Sequence, residues 1–189
     1  MLARPAGRLP ASACSACGAP RACGSRAGER SAHRWAPASR WALSAPSGPT
    51  WCWALDSQFD QTDDAKNLKL LNVIDEFTRE ALVIVAGRSI DADTVVACLD
   101  PLAAKKGAPA YVRFDNGPDF IAHAVADWCR CSGTASVFID PGCPWQNAGV
   151  ESFNVRLRDE LLNSCQFGSL LEARVLLKDW RAETNLATV

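Results

Sequence analysis

Three runs rich in apolar and β-branched residues follow one another between Trp51 and Gly87, with no helical segment between them: WCWALDSQF, LKLLNVID and ALVIVAG. Each has the length of a strand and is bounded by polar or turn-forming residues, so each reads as a β-strand. DEFTRE is the turn between the second and the third. Strands joined this closely predict an antiparallel meander. From Ser89 onward the period changes. Ser89 to Lys106 reads as a helix capped near Ser89 or Asp91, with Val95, Leu99 and Leu102 on one face and Gly107 at its end. Pro101 lies inside it and is expected to kink or shorten it. AYVRF (110–114) is a strand, 118–131 a helix with Phe120, Val125 and Trp128 toward the core, and ASVFI (135–139) a fifth strand. DPGCPWQNAG is a loop of helix breakers. Val150, Phe153, Leu157 and Leu161 then repeat on one face of a helix over 150–163. A last helix starts at Ser169, where Ser169 and Glu172 form a capping box, and presents Leu170, Ala173, Leu177 and Trp180. Strands that alternate with helices need crossover connections. The expected fold class is therefore α/β, with a five-stranded mixed sheet flanked by helices.

Composition narrows the class further. An apolar content of 48% over 189 residues is enough for one core of ordinary size. No apolar run approaches the ~18 residues of a membrane span, and the N-terminus lacks the apolar stretch of a secretory signal. A membrane role is not expected. The nine cysteines are odd in number and irregular in spacing, a poor disulfide framework. They are expected to be reduced and mostly buried, in a cytoplasmic protein. The net charge of −1 hides an asymmetry: residues 1–50 carry seven Arg and one acid, and the remainder has a balance of −7. A basic surface does not announce a nucleic-acid partner here. Residues 1–50 are rich in Ala, Arg, Ser, Pro and Gly without a sustained period, and are expected to be disordered or irregular. Cys14, Cys17, Cys23 and His33 lie in this segment, but no second ligand pair with zinc-site spacing accompanies them. They read as scattered residues of a biased segment.

The acids carry the chemistry. Asp56 lies inside the first strand, Asp115 closes the fourth, and Glu151 opens the helix after the breaker loop. Carboxylates in or at the ends of buried strands are costly unless paired or bound to a cation. In α/β sheets, ligands gather at the carboxyl ends of strands. Three convergent carboxylates suit magnesium, which takes oxygen ligands, and two such ions ~3.5–4 Å apart serve phosphoryl transfer. Each acid also has an ordinary reading: Asp115 as a turn residue, Glu151 as a helix-dipole partner, Asp56 as a satisfied core acid. Asp60, Asp75 and Asp140 fit a triad as well on composition. Around Asp115, FDNGPDF resembles a hairpin turn, yet Pro118 and the helical spacing behind it make a strand-to-helix turn.

WALD, LNVIDEFTRE, RFDNGPDF, DPGCPWQNAGVESFNVRLRDELLN and FGSLLEAR are similar to the blocks of insertion-sequence transposases related to retroviral integrases. The likeness runs from Trp51 to about Asn185, roughly 70% of the chain, and 35 residues separate Asp115 from Glu151. That is the interval typical of this Asp-Asp-Glu group. The resemblance implies a ribonuclease H-like fold, with Asp56, Asp115 and Glu151 as catalytic residues and as ligands of Mg2+ or Mn2+, two ions in all. It implies metal-dependent DNA strand cleavage followed by strand transfer during transposition. Asn154 and Arg158, on the face of Glu151, and Gln146 and Asn147, in the segment before its helix, are the implied DNA-binding residues. Arg156, Lys105 and Lys106 are expected to be solvated charges. The implied partners are DNA, both element ends and target, other transposase subunits that supply end recognition, and further copies of the chain. Alternatives are an inactive fragment that only binds DNA or partner subunits, and a ribonuclease H-like nuclease that only hydrolyses. The departures are Ser57 for a usual aromatic, Asp119 for Glu, Val155 for Gly and Thr184 for Tyr. The expected organisation is a segment over 1–50 and an integrase-like core over 51–189, truncated at its C-terminus.

Overall fold

The computed structural model describes residues 48–114, 123–140 and 144–188. The elements in chain order are β1 (Cys52–Gln61), β2 (Asn67–Asp75), β3 (Ala81–Gly87), α1 (Ala92–Lys106), β4 (Tyr111–Phe114), α2 (His123–Ser132), β5 (Ala135–Phe138), α3 (Ala148–Leu157) and α4 (Leu170–Thr188). A 3-10 turn over Pro144–Asn147 leads into α3, and a π turn over Arg158–Leu162 continues it. The segment over 1–50, apart from 48–50, lies outside the described residues, as do Asp115, Asp119 and Phe120.

The strands form one five-stranded sheet in the order β3-β2-β1-β4-β5. β1, β2 and β3 pair antiparallel, as their close spacing in sequence requires. β4 joins β1 in parallel and β5 joins β4 in parallel, after crossovers that carry α1 and α2. β1 is thus the central strand, and alternate residues along it enter different cores. Trp53 and Leu55 face a cluster with Val73, Val112, Phe114, Val95, Leu99 and Trp128, under α1 and α2. Ala54 faces the opposite cluster with Leu70, Ile74, Val150, Phe153, Leu157, Leu177 and Trp180, under α3 and α4.

The mixed sheet and the order of its elements follow the sequence expectation. Three local features differ. α1 runs through Pro101 to Lys106 and is not shortened. The carbonyl that Pro101 leaves without an amide partner is that of Ala97, one turn back on the exposed side of the helix, where water can serve it. The helix over 150–163 is not α-helical throughout: its last turn is a π turn. The wider turn lets two consecutive residues, Leu161 and Leu162, both enter the core. Lys106 is not merely solvated, since its Nζ donates to Glu80 Oε1 at 2.7 Å.

Among the described residues Cys52, Cys98 and Cys129 are buried, Cys165 is half-buried, Cys131 is exposed, and all are free thiols. Burial pushes the Cys98 thiol up to about 12 and that of Cys129 to about 11. Cys52 is raised as well, by burial and by the neighbouring Glu76 carboxylate. The thiolate is the nucleophile, so these three should be inert. Iodoacetamide under native conditions is expected to modify Cys131 well before Cys52, Cys98 or Cys129, as read by peptide mass mapping. Equal labelling of Cys98 and Cys131 would show that α1 does not pack as described.

Candidate active site

The even-numbered residues of β1 and β2 face α3 and α4, and most are apolar. Three are not. Asp56 and Gln58 on β1 follow Ala54, and Asn72 on β2 lies opposite Asp56 in the antiparallel ladder. Asn72 is fully buried and Gln58 nearly so. A polar patch therefore interrupts the apolar layer at the second half of β1.

α3 closes over this patch. Its buried positions Val150, Phe153 and Leu157 dock on the core, which turns Asn154 toward the sheet. Asn154 Nδ2 donates to Asp56 Oδ2 at 2.7 Å, and Asn154 Oδ1 accepts from Asn72 Nδ2 at 2.7 Å. Gln58 Nε2 donates to the Asn154 carbonyl at 3.1 Å. The other oxygen of Asp56, Oδ1, accepts from the Ser57 amide at 2.8 Å. Glu151 lies one turn before Asn154 and so on the same side of α3. It is exposed, and none of the ion pairs among the described residues engages it. Further along, Arg158 Nη2 donates to the carbonyl of Phe59 at 2.9 Å. The helix thus runs beside β1, with Asn154 at Asp56 and Arg158 at Phe59.

Asp115 lies outside the described residues. Its place in the chain is still informative. Leu55 on β1 pairs in parallel with Phe114 on β4, and these are the residues immediately before Asp56 and Asp115. Among the described residues no three His, Cys, Asp or Glu side chains gather closely enough to hold a metal ion.

The other acids have structural tasks. Asp75 is buried and caps the β2–β3 turn: its oxygens accept from the amides of Thr50, Phe77 and Thr78 at 2.7, 2.9 and 3.1 Å. Asp60 accepts from the next amide, that of Gln61, at 2.8 Å. Asp140 is tied to Gln146, whose Oε1 accepts from the Asp140 amide at 3.0 Å and whose Nε2 donates to Asp140 Oδ2 at 3.1 Å.

The segment before α3 is anchored from below. Arg113 Nη1 donates to both Glu76 oxygens, at 2.7 and 2.9 Å, and to the Gln146 carbonyl at 2.8 Å. These side chains are only 18% and 10% exposed, so the pair is better shielded than a surface ion pair. It joins β4, the β2–β3 turn and the 3-10 turn. Asn147 in that turn is 2% exposed, and its Oδ1 has no hydrogen-bond partner among the described residues. At Gly149 the Arg79 guanidinium of the β2–β3 turn lies against the start of α3: a Cβ there would sit 2.6 Å from Arg79 Nη1 and would make that flexible side chain shift.

The structure therefore brings Asp56 and Asn154 into direct contact and sets Glu151 one turn away. Gln146 and Asn147 are engaged in or buried against the protein, and Arg158 at the side of β1. The sequence reading had not singled out Gln58, Asn72, Glu76 or Arg113 for the site. The signal for Asn72 was present: a lone amide in the middle of the apolar run LKLLNVID.

The comparisons with known proteins agree with this architecture. Residues 46–144 match a family model described as integrase core domain, and residues 132–186 match a second with the same description. The first span contains Asp56 and Asp115, the second Glu151. The chain is 43% identical over 143 residues to an uncharacterized 39.2 kDa protein of insertion element IS476 from Xanthomonas euvesicatoria, covering 76% of this chain and 41% of that protein. It is 38% identical over 143 residues to an uncharacterized 31.7 kDa protein of insertion element IS407 from Burkholderia multivorans, covering 76% of this chain and 52% of that one. The chain thus spans about half the length of these relatives. Among solved structures, a simian T-cell lymphotropic virus intasome in complex with a PP2A regulatory subunit aligns with TM-score 0.52 and 19% identity, over 59% of this chain and 39% of that chain. The HTLV-2 integrase catalytic core domain in complex with magnesium aligns with TM-score 0.51 and 16% identity, over 64% and 77%. At such identities the likeness is one of fold, the ribonuclease H-like fold of retroviral integrase cores.

Proposed function

The chain belongs to the integrase core domain family, and from that premise we propose that it is the catalytic core of an insertion-sequence transposase that cuts and joins DNA strands with divalent metal ions. The observation that carries the proposal is the Asp56 carboxylate at the second half of β1, held by Asn154 one helical turn from the exposed Glu151. The register of β1 and β4 supports Asp115 as the third ligand, since the chain enters Asp56 and Asp115 from paired residues.

The donor chemistry fits a hard cation. Asp56, Asp115 and Glu151 offer only carboxylate oxygens, which suit Mg2+ or Mn2+. Two ions match the reaction class. Bound there, such ions would activate a water or a 3′-hydroxyl and stabilise the leaving oxygen. The chain's own part is to hold the ligands. Asp56 is held by Asn154 at one oxygen and by the Ser57 amide at the other. Glu151 rides on a helix docked by Val150, Phe153 and Leu157. Arg113 fixes the turn that leads into that helix through the Gln146 carbonyl. Arg158 keeps donors beyond the one spent on Phe59, and these are suited to a phosphate near the cut strand. Asn154 serves primarily inside the protein, as the hydrogen-bond partner of Asp56. The DNA partners are element ends and target, with other transposase subunits or further copies of the chain supplying end recognition.

The test is a strand-joining assay on duplex DNA with a recessed 3′-hydroxyl end. Joined product is expected in Mg2+ or Mn2+ and none in EDTA or in Asp115→Asn. Hydrolysis without joining would make the protein a nuclease only. DNA binding that survives Asp56→Ala unchanged, with neither cutting nor joining by the unaltered chain, would make it a binding fragment.

A further inference from the structure

We propose that Asn72 is a positioning residue for the metal-binding carboxylate of Asp56, acting through the side-chain amide of Asn154. The inference rests on the reading of Asp56 as a metal ligand. It begins from an expense. Asn72 is 0% exposed in the middle of β2, between Leu70 and Ile74 on the same face, and its Oδ1 has no hydrogen-bond partner among the described residues. A buried carbonyl left unpaired is costly, and an apolar side chain of the same shape would fill the layer without that cost. Packing gives no reason for an amide here. What the amide contributes is direction.

The direction can be worked out from two groups that can only accept. Asp56, as a carboxylate, accepts, so the part of Asn154 that faces it must be its NH2 group. The oxygen of Asn154 is then turned toward β2, and the part of Asn72 facing it must be a donor. The structure has this arrangement, with 2.7 Å at both contacts. At the other end the Asn154 backbone carbonyl also only accepts, which fixes Gln58 with Nε2 toward α3 at 3.1 Å and Oε1 toward Asn72 at 3.4 Å. Every amide in the circuit has a single consistent orientation, and Asn72 supplies the donor that links its two halves. It reaches Asn154 across 82 residues of sequence.

The consequence falls on Asp56. With Oδ2 held by Asn154 and Oδ1 by the Ser57 amide, the carboxylate is restrained against rotation. Its remaining lone pairs keep a constant direction. Without the donor at residue 72, Asn154 loses one of the two contacts that hold its side chain, and the carboxylate regains rotational freedom. Partners of this kind typically change metal affinity ~10–100-fold when removed.

Mn2+ binding to the whole chain, measured by isothermal titration calorimetry beside the unfolding temperature, tests this. The unaltered protein is expected to bind Mn2+ and Asp56→Asn not to. Asn72→Leu is expected to bind about 10-fold more weakly while still unfolding cooperatively, at a temperature set by two opposed effects: it removes an unpaired buried oxygen but leaves Asn154 Oδ1 and Gln58 Oε1 without their donor. Asn154→Ala is expected to weaken binding, and Asn72→Leu added to it to weaken binding no further. Unchanged affinity in Asn72→Leu, or losses that add in full with those of Asn154→Ala, would overturn the role of Asn72 while leaving the metal site standing. Absence of binding by the unaltered chain, or undiminished binding by Asp56→Asn, would overturn the metal-ligand reading and this inference with it. Should Asn72→Leu fail to fold, Asn72→Ser, too short to reach Asn154, replaces it with the same expectation for Mn2+.

Discussion

Asp56→Asn is expected to lower metal-dependent DNA cutting and joining by on the order of 10³-fold or more while leaving the fold in place. The size follows from what bound metal supplies, several kcal/mol of charge stabilisation in the transition state, at ~1.4 kcal/mol per tenfold in rate. The survival of the fold follows from the hydrogen bonds. An asparagine at residue 56 keeps a carbonyl oxygen that can accept from Asn154 Nδ2, the contact now made at 2.7 Å by Asp56 Oδ2, and gives up only the half-buried contact of Oδ1 with the Ser57 amide. It lacks the charge that draws a divalent cation. Thermal unfolding with and without Mn2+ separates the two consequences. The unaltered chain should gain about 2.7 kcal/mol of stability at a hundredfold excess over its dissociation constant, and the variant nothing. Activity within tenfold of the unaltered chain, or an undiminished gain from Mn2+, would remove Asp56 from the site.

The largest expected effect on stability lies on the other face of the same strand. Trp53 is fully buried under α1 and α2, two positions before Leu55, and its Nε1 has no hydrogen-bond partner among the described residues. Trp53→Ala is expected to cost about 3–5 kcal/mol, the loss of a large buried ring plus the cavity it leaves. For a domain of ordinary stability that is a large share of the total. Trp53→Phe should cost about 1 kcal/mol or less, because the smaller ring loses area but also removes an indole N–H buried without an acceptor. Urea denaturation measures both. Equal losses in the two variants would mean that the unpaired N–H carries no penalty and that volume decides.

Much of the fold was legible along the chain because its strands and helices announce their periods locally. The runs 67–75 and 81–87 alternate into two cores, and the Val150, Phe153, Leu157 series marks the helix that carries Glu151. Ser169 and Glu172 were legible as a helix start for the same reason: the Glu172 amide donates to Ser169 Oγ at 3.2 Å, and the Glu172 carboxylate reaches back to the Gly168 amide at 2.8 Å. Local chemistry did not reveal the π turn at 158–162, because a wider turn there depends on a core that must accept Leu161 and Leu162 together. Nor did it reveal that Pro101 would be tolerated, which turns on the side of α1 that meets water.

For the site, the sequence by itself determined where the acids fall along the expected strands and helices and at which interval, and through the family blocks it named Asp56, Asp115 and Glu151. It left Asp60, Asp75 and Asp140 as equals on composition, since a carboxylate in sequence carries no record of its partners. The tertiary structure decided their tasks: Asp75 is engaged by two amides of its own turn and by that of Thr50 before β1, and Asp140 by Gln146, whereas Asp56 meets α3. It alone decided the roles of Asn72 and Gln58. Period-two alternation places these residues on the face of Leu70 and Ile74, but the amide that gives them a purpose comes from Asn154, more than eighty residues away along the chain. Sequence periodicity fixes the face on which a side chain emerges, and only the packing of distant segments fixes what it meets there.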